Sequence, residues 1–303
     1  MLLSLTGCDL SAINSPYPKQ ADNESIMYTS FSLRPKHLDP ARSYSSNEVS
    51  FTGQIYEPPL QYHYLKRPYQ LEPLTAVQLP VVRYFNEHNE EVGEHDDIAY
   101  SIYDIKIKPN IYYQPHPAFA KTSNGHYLYH HLKKNELDAV ETLFDFKKTA
   151  SRELIAQDYV YQIKRLAHPA VHSPIIGLMS KYIVGLADLS KRLLQQQKNN
   201  ETIDLRKLSF DGAKVIDRYH YQIKVVGKYP QLKYWLAMPF FAPIPWEADV
   251  FYQQDGLIEK NISLDWYPVG TGPYYLTEND PNRRMVLSKN PNYHKDYYPL
   301  TGE

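Results

Sequence analysis

The chain has 303 residues with 33 basic and 34 acidic side chains, a net charge of −1. That length admits one or two domains with a large core, and the charge balance argues against nucleic acid and against a polybasic membrane surface as partners. Apolar residues make up 43% and charged residues 22%, and no stretch reaches the roughly 18 apolar residues of a spanning helix. Cys8 is the single cysteine, so no internal disulfide can form, and Tyr is used 28 times against 10 Phe and 3 Trp. Tyrosine combines apolar area with a polar tip, which suits a cleft that grips varied ligands or sheet faces that are half wet.

Residues 1–8 read as the end of an apolar signal segment, and Leu5-Thr6-Gly7-Cys8 matches a bacterial lipobox, which makes Cys8 the lipidated first residue of a mature protein. A basic n-region is missing, so the true start is expected upstream of Met1, and Asp9 points to retention at the inner membrane. A single lipid anchor would hold a soluble body near that membrane. Residues 9–25 are rich in Ser, Pro, Asn and Gln, as in a flexible tether. The fold begins at residue 26. Residues 26–33 read as a strand closed by Arg34-Pro35, and Leu38-Asp39-Pro40-Ala41 follows. Ser45 three residues before Glu48 forms a capping box, which predicts a helix over about 47–56, ended by Pro58.

From 78 to 108 the pattern is β. Ile98, Tyr100 and Ile102 alternate, Tyr103, Ile105 and Ile107 continue on the other parity, and the switch predicts a bulge near Ile102-Tyr103. Asn110 stands at a turn position that favours positive φ. Residues 110–149 read as an insertion on the surface. It holds His126, His130 and His131; the spacing of the first two would place both rings on one helical face, but no local third ligand or general base accompanies them, and a solvated loop is the preferred reading. Ile155, Tyr159, Ile163 and Leu166 define an apolar helical face, with Asp158 in the first turn where a carboxylate suits the macrodipole. A second helix is expected over about 176–197, stopped by Asn199-Asn200, with Met179, Ile183, Leu186 and Leu193 inward. Residues 212–225 alternate as a hairpin, Pro230 opens a helix through Leu236-Ala237-Met238, and a short helix is expected over 247–255.

Near the end, Pro268-Val269-Gly270-Thr271-Gly272-Pro273 sets two glycines one residue apart between prolines. Such a backbone can take positive φ and approach a neighbour closely, while the prolines bar a helix. Tyr274-Tyr275-Leu276 and Met285-Val286-Leu287 then read as two strands joined by the turn Asn279-Asp280-Pro281-Asn282. The chemistry of catalysis is missing: there is no G-x-S-x-G, phosphate-binding G-x-x-x-x-G-K-S/T or H-E-x-x-H, and the Gly270-Thr271-Gly272 run is too short to be a dinucleotide fingerprint.

Pro268 to Leu276 followed by Asn290-Pro291-Asn292-Tyr293 resembles a signature of the family 5 extracellular solute-binding proteins, the oligopeptide, dipeptide and nickel receptors of ABC importers. His294 departs from the Trp that the family carries there. Leu38-Asp39-Pro40-Ala41, Ile55-Tyr56-Glu57 and residues 154–166 match further family segments in the family's order. The resemblance implies a mixed α/β, periplasmic-binding-protein-like fold. Residues 26–293 would form lobe I of a two-lobe receptor, with an inserted subdomain over about 57–230. Residues 294–303 would begin the crossing to lobe II, so the second lobe is missing from these 303 residues.

The function implied is binding of oligopeptides and their delivery to membrane permease subunits, by a monomer without catalysis and without a cofactor. The segment that would border the ligand is Ser32, Leu33, Arg34 and His37, with Arg34 either facing a ligand carboxylate or lying on the surface. Gly270, Thr271, Gly272 and Pro273 would lie by the hinge in a structural role. A receptor for a nickel chelate, haem or sugar on the same fold is the alternative within the class; a non-transport interaction or sensing module is the alternative outside it.

Overall fold

The computed structural model describes residues 25–301. Cys8, its lipobox and residues 9–24 of the expected tether lie outside the described residues. The chain divides into one unit ending at Leu33 and a second running from Arg34. In the first, residues 25–33 have no regular secondary structure. The strand expected over 26–33 is therefore not formed: a strand exists only where a neighbour completes its ladder.

The second unit opens on a capped helix. The Glu48 carboxylate accepts from the backbone N–H groups of Lys36, His37, Tyr44 and Ser45 and from the Ser43 hydroxyl, which fixes the loop before α1 (Ser46–Ile55). Burial works to raise the Glu48 carboxyl, and these hydrogen bonds outweigh it and hold the group below its ordinary value. A small antiparallel hairpin follows, β1 (Leu60–Tyr62) and β2 (Leu71–Pro73).

The main sheet is antiparallel and five-stranded. Its members are β3 (Val81–Phe85), β4 (Glu91–Val92), β5 (Tyr100–Lys106), β6 (Ala213–Asp217) and β7 (His220–Val226), in the order β4-β3-β5-β7-β6. Tyr103 pairs with Ile223 and Ile105 with Tyr221, so Ser101, Tyr103 and Ile105 share the buried face with Tyr221, Ile223 and Val225. The register of β5 is continuous against both neighbours. The expected bulge at Ile102-Tyr103 is absent because the two apolar parities belong to two faces, Tyr100 and Ile102 lying on the half-exposed outer one.

The buried face is covered by α2 (Ala156–Leu166), which is buried on nearly every side. Tyr159 stacks on Tyr221 with ring centroids 5.0 Å apart. The helix expected over 176–197 is two, α3 (Ile176–Tyr182) and α4 (Leu186–Lys198), broken where Gly185 adopts φ 72° and where Ile183 bridges to Val225 at the sheet. Met179, Ile183, Leu186 and Leu193 are inward as expected, and Asn200 (φ 54°) and Asn110 (φ 62°) take the left-handed region. Three short helices, α5 (Leu232–Trp235), α6 (Trp246–Tyr252) and α7 (Asp255–Glu259), lead to the hairpin β8 (Tyr274–Asp280) and β9 (Arg284–Lys289).

Residues 116–149 are not a solvated appendage. Phe119, Leu137, Val140, Leu143 and Phe146 join the core. Residues 126–131 are not helical, so His126 and His130 share no helical face. His130 is buried and stacks on Tyr127 at 4.3 Å, and its Nε2 bonds Ala118 O. His116 is wholly buried. Its Nδ1 accepts from Ala118 N–H, and its Nε2 lies 2.8 Å from Tyr252 Oη, which itself donates to Tyr267 O. This chain assigns the Nε2–H tautomer and leaves no acceptor for a second proton. Burial accordingly lowers the imidazole to about 3.

Candidate functional site around the glycine crossing

The segment from Pro268 to Pro273 runs across the C-terminal end of α1. Gly272 N–H donates to Ile55 O at 2.9 Å. Gln114 clamps the same segment from the other side: its Nε2 donates to Pro268 O, its Oε1 accepts from Gly270 N–H, and its N–H donates to Gly270 O. Asn290 closes the loop, with N–H to Pro273 O and Nδ2 to Gly272 O, while Asn292 Nδ2 reaches Tyr113 O. A Cβ on Gly270 would stand 1.9 Å from Ile55 O, and one on Gly272 would stand 2.5 Å from Gln54 O. The glycines are needed for this close approach. Positive φ, the other reason expected for them, is not used at either position.

The second unit also holds three groups of buried or part-buried charges. Arg165, on α2, donates to both oxygens of Asp39 and to Asp249 of α6, and Tyr161 donates to the same Asp249 at 2.7 Å. Arg152 bridges Asp158 and Glu247, each at 2.7 Å. Burial pushes the Asp158 carboxyl up, and Arg152 opposes it by charge and by two hydrogen bonds. The third group is Asp265, which Arg42 and His37 both meet; burial first and Asp39 next raise its carboxyl, and the Arg42 guanidinium opposes them.

Of the residues expected to border a ligand, Ser32 and Leu33 are exposed in the first unit. Arg34 Nη1 donates to Asn282 Oδ1 in the turn of the β8–β9 hairpin at 2.8 Å, and Arg34 O accepts from Asn47. His37 Nδ1 lies 3.3 Å from Asp265 Oδ1. Gly270, Thr271, Gly272 and Pro273 form one buried to half-buried crossing. His294 Nε2 meets the buried Glu57 carboxylate at 2.9 Å, so the departure from Trp at this position still supplies a ring nitrogen beside the Ile55-Tyr56-Glu57 segment.

Gln114, Arg152, Arg165, Glu247 and Asp249 were not singled out by the sequence. Arg165 lies on a polar stripe at helical spacing, Asp158, Gln162 and Arg165, and all three are buried.

The comparisons agree with this architecture. The family model for bacterial extracellular solute-binding proteins, family 5 middle region, matches residues 151–300. Among solved structures, OppA of Listeria monocytogenes bound to peptide is similar at 15% identity and a TM-score of 0.53, covering 86% of this chain and 38% of that one. DppA of Helicobacter pylori in complex with the peptide STSA gives 17%, 0.52, 87% and 38%, and the murein tripeptide binding protein MppA of Escherichia coli gives 16%, 0.52, 86% and 37%. No protein of curated function matches the sequence. Over residues 151–300 the chain belongs to the family 5 extracellular solute-binding proteins. Its mixed α/β fold is that of a periplasmic binding protein in part, and the chain spans less than two-fifths of the length of the structures it matches. Among the described residues no helix is long and apolar enough to cross a membrane, and no group of three or more His, Cys, Asp or Glu is arranged to hold a metal ion.

Proposed function

We propose that the protein is the extracytoplasmic substrate-binding component of an ABC importer that takes peptides and hands them to permease subunits. The observation that carries this reading is the family match over residues 151–300, which contains the whole glycine crossing and its hairpin. Peptide-bound relatives of the same fold support the ligand class. Lobe I is residues 26–293, with an inserted subdomain over about 57–230 and the crossing to a second lobe starting at 294. Ser32, Leu33, Arg34 and His37 border the ligand, and Arg34 offers a carboxylate the guanidinium N–H groups that Asn282 leaves free. The crossing acts beside the hinge, where close backbone contact keeps one side of the motion rigid. Cys8 carries the lipid that holds the receptor at the inner membrane.

The test is twofold. A strain lacking the gene should lose uptake of radiolabelled tri-alanine and regain it on complementation, and Cys8→Ser should move the protein from membrane to soluble fractions. Uptake unchanged in the deletion strain, with no calorimetric response of the purified protein to free tripeptides, would remove the peptide-import reading. Retained membrane association of Cys8→Ser would remove the lipid anchor alone.

A further inference from the structure

A second surface, away from the glycine crossing, has the features of a ligand site. A groove of 500 Å³ opens between the β1–β2 hairpin, the β3 end of the main sheet and α5, within the roughly 300–1,000 Å³ usual for ligand pockets. Four of its walls are tyrosines, Tyr69, Tyr84, Tyr103 and Tyr234, and Pro80 and Pro230 line it with them. Tyr103 is held by its hydroxyl, which donates to Tyr229 O at 2.7 Å, whereas Tyr69 and Tyr234 are exposed.

The charge around these rings is one-sided. Arg67 stands 4.3 Å from the centroid of Tyr69, Lys228 is 5.7 Å from Tyr84, and Lys233 is 5.2 Å from Tyr234. The lining itself carries one cation, Lys233, and one carboxylate, Glu94; Arg67 and Lys228 lie outside it against its rings, and Lys228 pairs with Glu94 at 2.8 Å, so Arg67 and Lys233 are the surplus. Ring faces and prolines recognise a chain that needs no ladder partner, the extended polyproline conformation, whose side chains fill slots between rings while its carbonyls accept from phenols. The surplus positive charge selects the sign of its flanking residues.

We propose that this groove binds an extended, acidic peptide segment rich in proline and aromatic residues. The proposal stands on the groove itself and does not depend on peptide import.

The probe is a blocked peptide of sequence EPPYPE, with its charge-reversed counterpart KPPYPK, titrated by calorimetry into the full chain. The acidic peptide should bind about tenfold or more tightly than the basic one, and raising the salt from about 0.05 to 0.5 M should narrow that ratio. Tyr234→Ala and Lys233→Glu should each weaken binding of EPPYPE about tenfold with the melting temperature unchanged, since both side chains are exposed. Equal affinity for the two peptides, or binding untouched by either substitution, overturns the proposal. Binding of chitotriose in competition with EPPYPE, lost in Tyr234→Ala, would likewise overturn it in favour of a sugar site.

Discussion

Glycine-to-alanine substitutions at Gly270 and Gly53 should move stability in opposite directions, and the structure gives both magnitudes. At Gly270 an added Cβ would lie 1.9 Å from Ile55 O and 2.7 Å from Ile55 C, both main-chain atoms that no rotamer change can clear. The crossing must therefore shift by more than an ångström, and three hydrogen bonds go with it: Gly272 N–H to Ile55 O, Gly270 N–H to Gln114 Oε1, and Gln114 N–H to Gly270 O. At about 1 kcal/mol each these account for about 3 kcal/mol. Displacing the buried Val269 beside them brings the expected loss to about 3–5 kcal/mol. At Gly53, inside α1, an added Cβ meets nothing within 4 Å, and alanine should stabilise by about 0.5–1 kcal/mol through helix propensity and a less flexible unfolded chain. Urea unfolding followed by far-UV circular dichroism measures both. A Gly270→Ala protein within 1 kcal/mol of wild type would refute the reasoning that close approach is what these glycines provide.

His116 is lowered to about 3 by burial, so its folded state resists a proton that the unfolded chain accepts near 6.5. Stability should therefore be full above the unfolded value and fall as pH drops from about 6.5 toward 3, by at most about 1.4 kcal/mol per pH unit for this one group. The slope between pH 6 and 4 should flatten in His116→Gln, and an unchanged slope would mean the imidazole titrates normally. Glu48 has the same ordering, folded below unfolded: its lowered value means a contribution present above 4.5 and lost as pH falls through the folded value. Glu48→Ala strips the acceptor from four backbone donors and a hydroxyl and should cost about 2 kcal/mol or more at pH 7; a cost below about 0.5 kcal/mol in urea unfolding would show that water replaces the carboxylate.

The sequence revealed elements whose signal is local. The capped helix α1, the hairpin of β6 and β7, the left-handed Asn110 and the strands flanking the Asp280 turn all follow from adjacent residues, and all are present. Where a partner distant in sequence decides the outcome, the reading failed. Residues 26–33 read as a strand, but a local pattern cannot supply a ladder neighbour. The apolar spacing continues through Gly185 and predicts one helix over 176–197, whereas a contact from Val225, about forty residues on, draws Ile183 to the sheet and breaks it. His130 belongs to the segment expected to be a solvated loop; Tyr127 and Trp246, the latter from a different part of the chain, bury it. The buried stripe of Asp158, Gln162 and Arg165 was illegible for the same reason, since its partners Asp39 and Asp249 lie far along the chain on either side.

That stripe invites a sharper question, whether the buried charges stabilise the fold or specify it. Arg165 is 3% exposed and meets Asp39 at 2.6 Å and Asp249 at 3.2 Å, joining the loop before α1 to α6 through α2. Three ions taken out of water recover their desolvation only through this geometry, so a buried triad of this kind is weak evidence for stability. Removing one member is different from removing all. Arg165→Met leaves two carboxylates buried without their cation and should cost about 3–5 kcal/mol, whereas the triple change Arg165→Met, Asp39→Leu, Asp249→Leu should recover most of that loss. If the charges serve to fix register, the triple variant should melt near the wild-type temperature yet show broadened side-chain resonances for α2 and α6. A triple variant as unstable as Arg165→Met alone would mean that the remaining hydrogen bonds to this cluster, including Tyr161 to Asp249, contribute net stability in their own right.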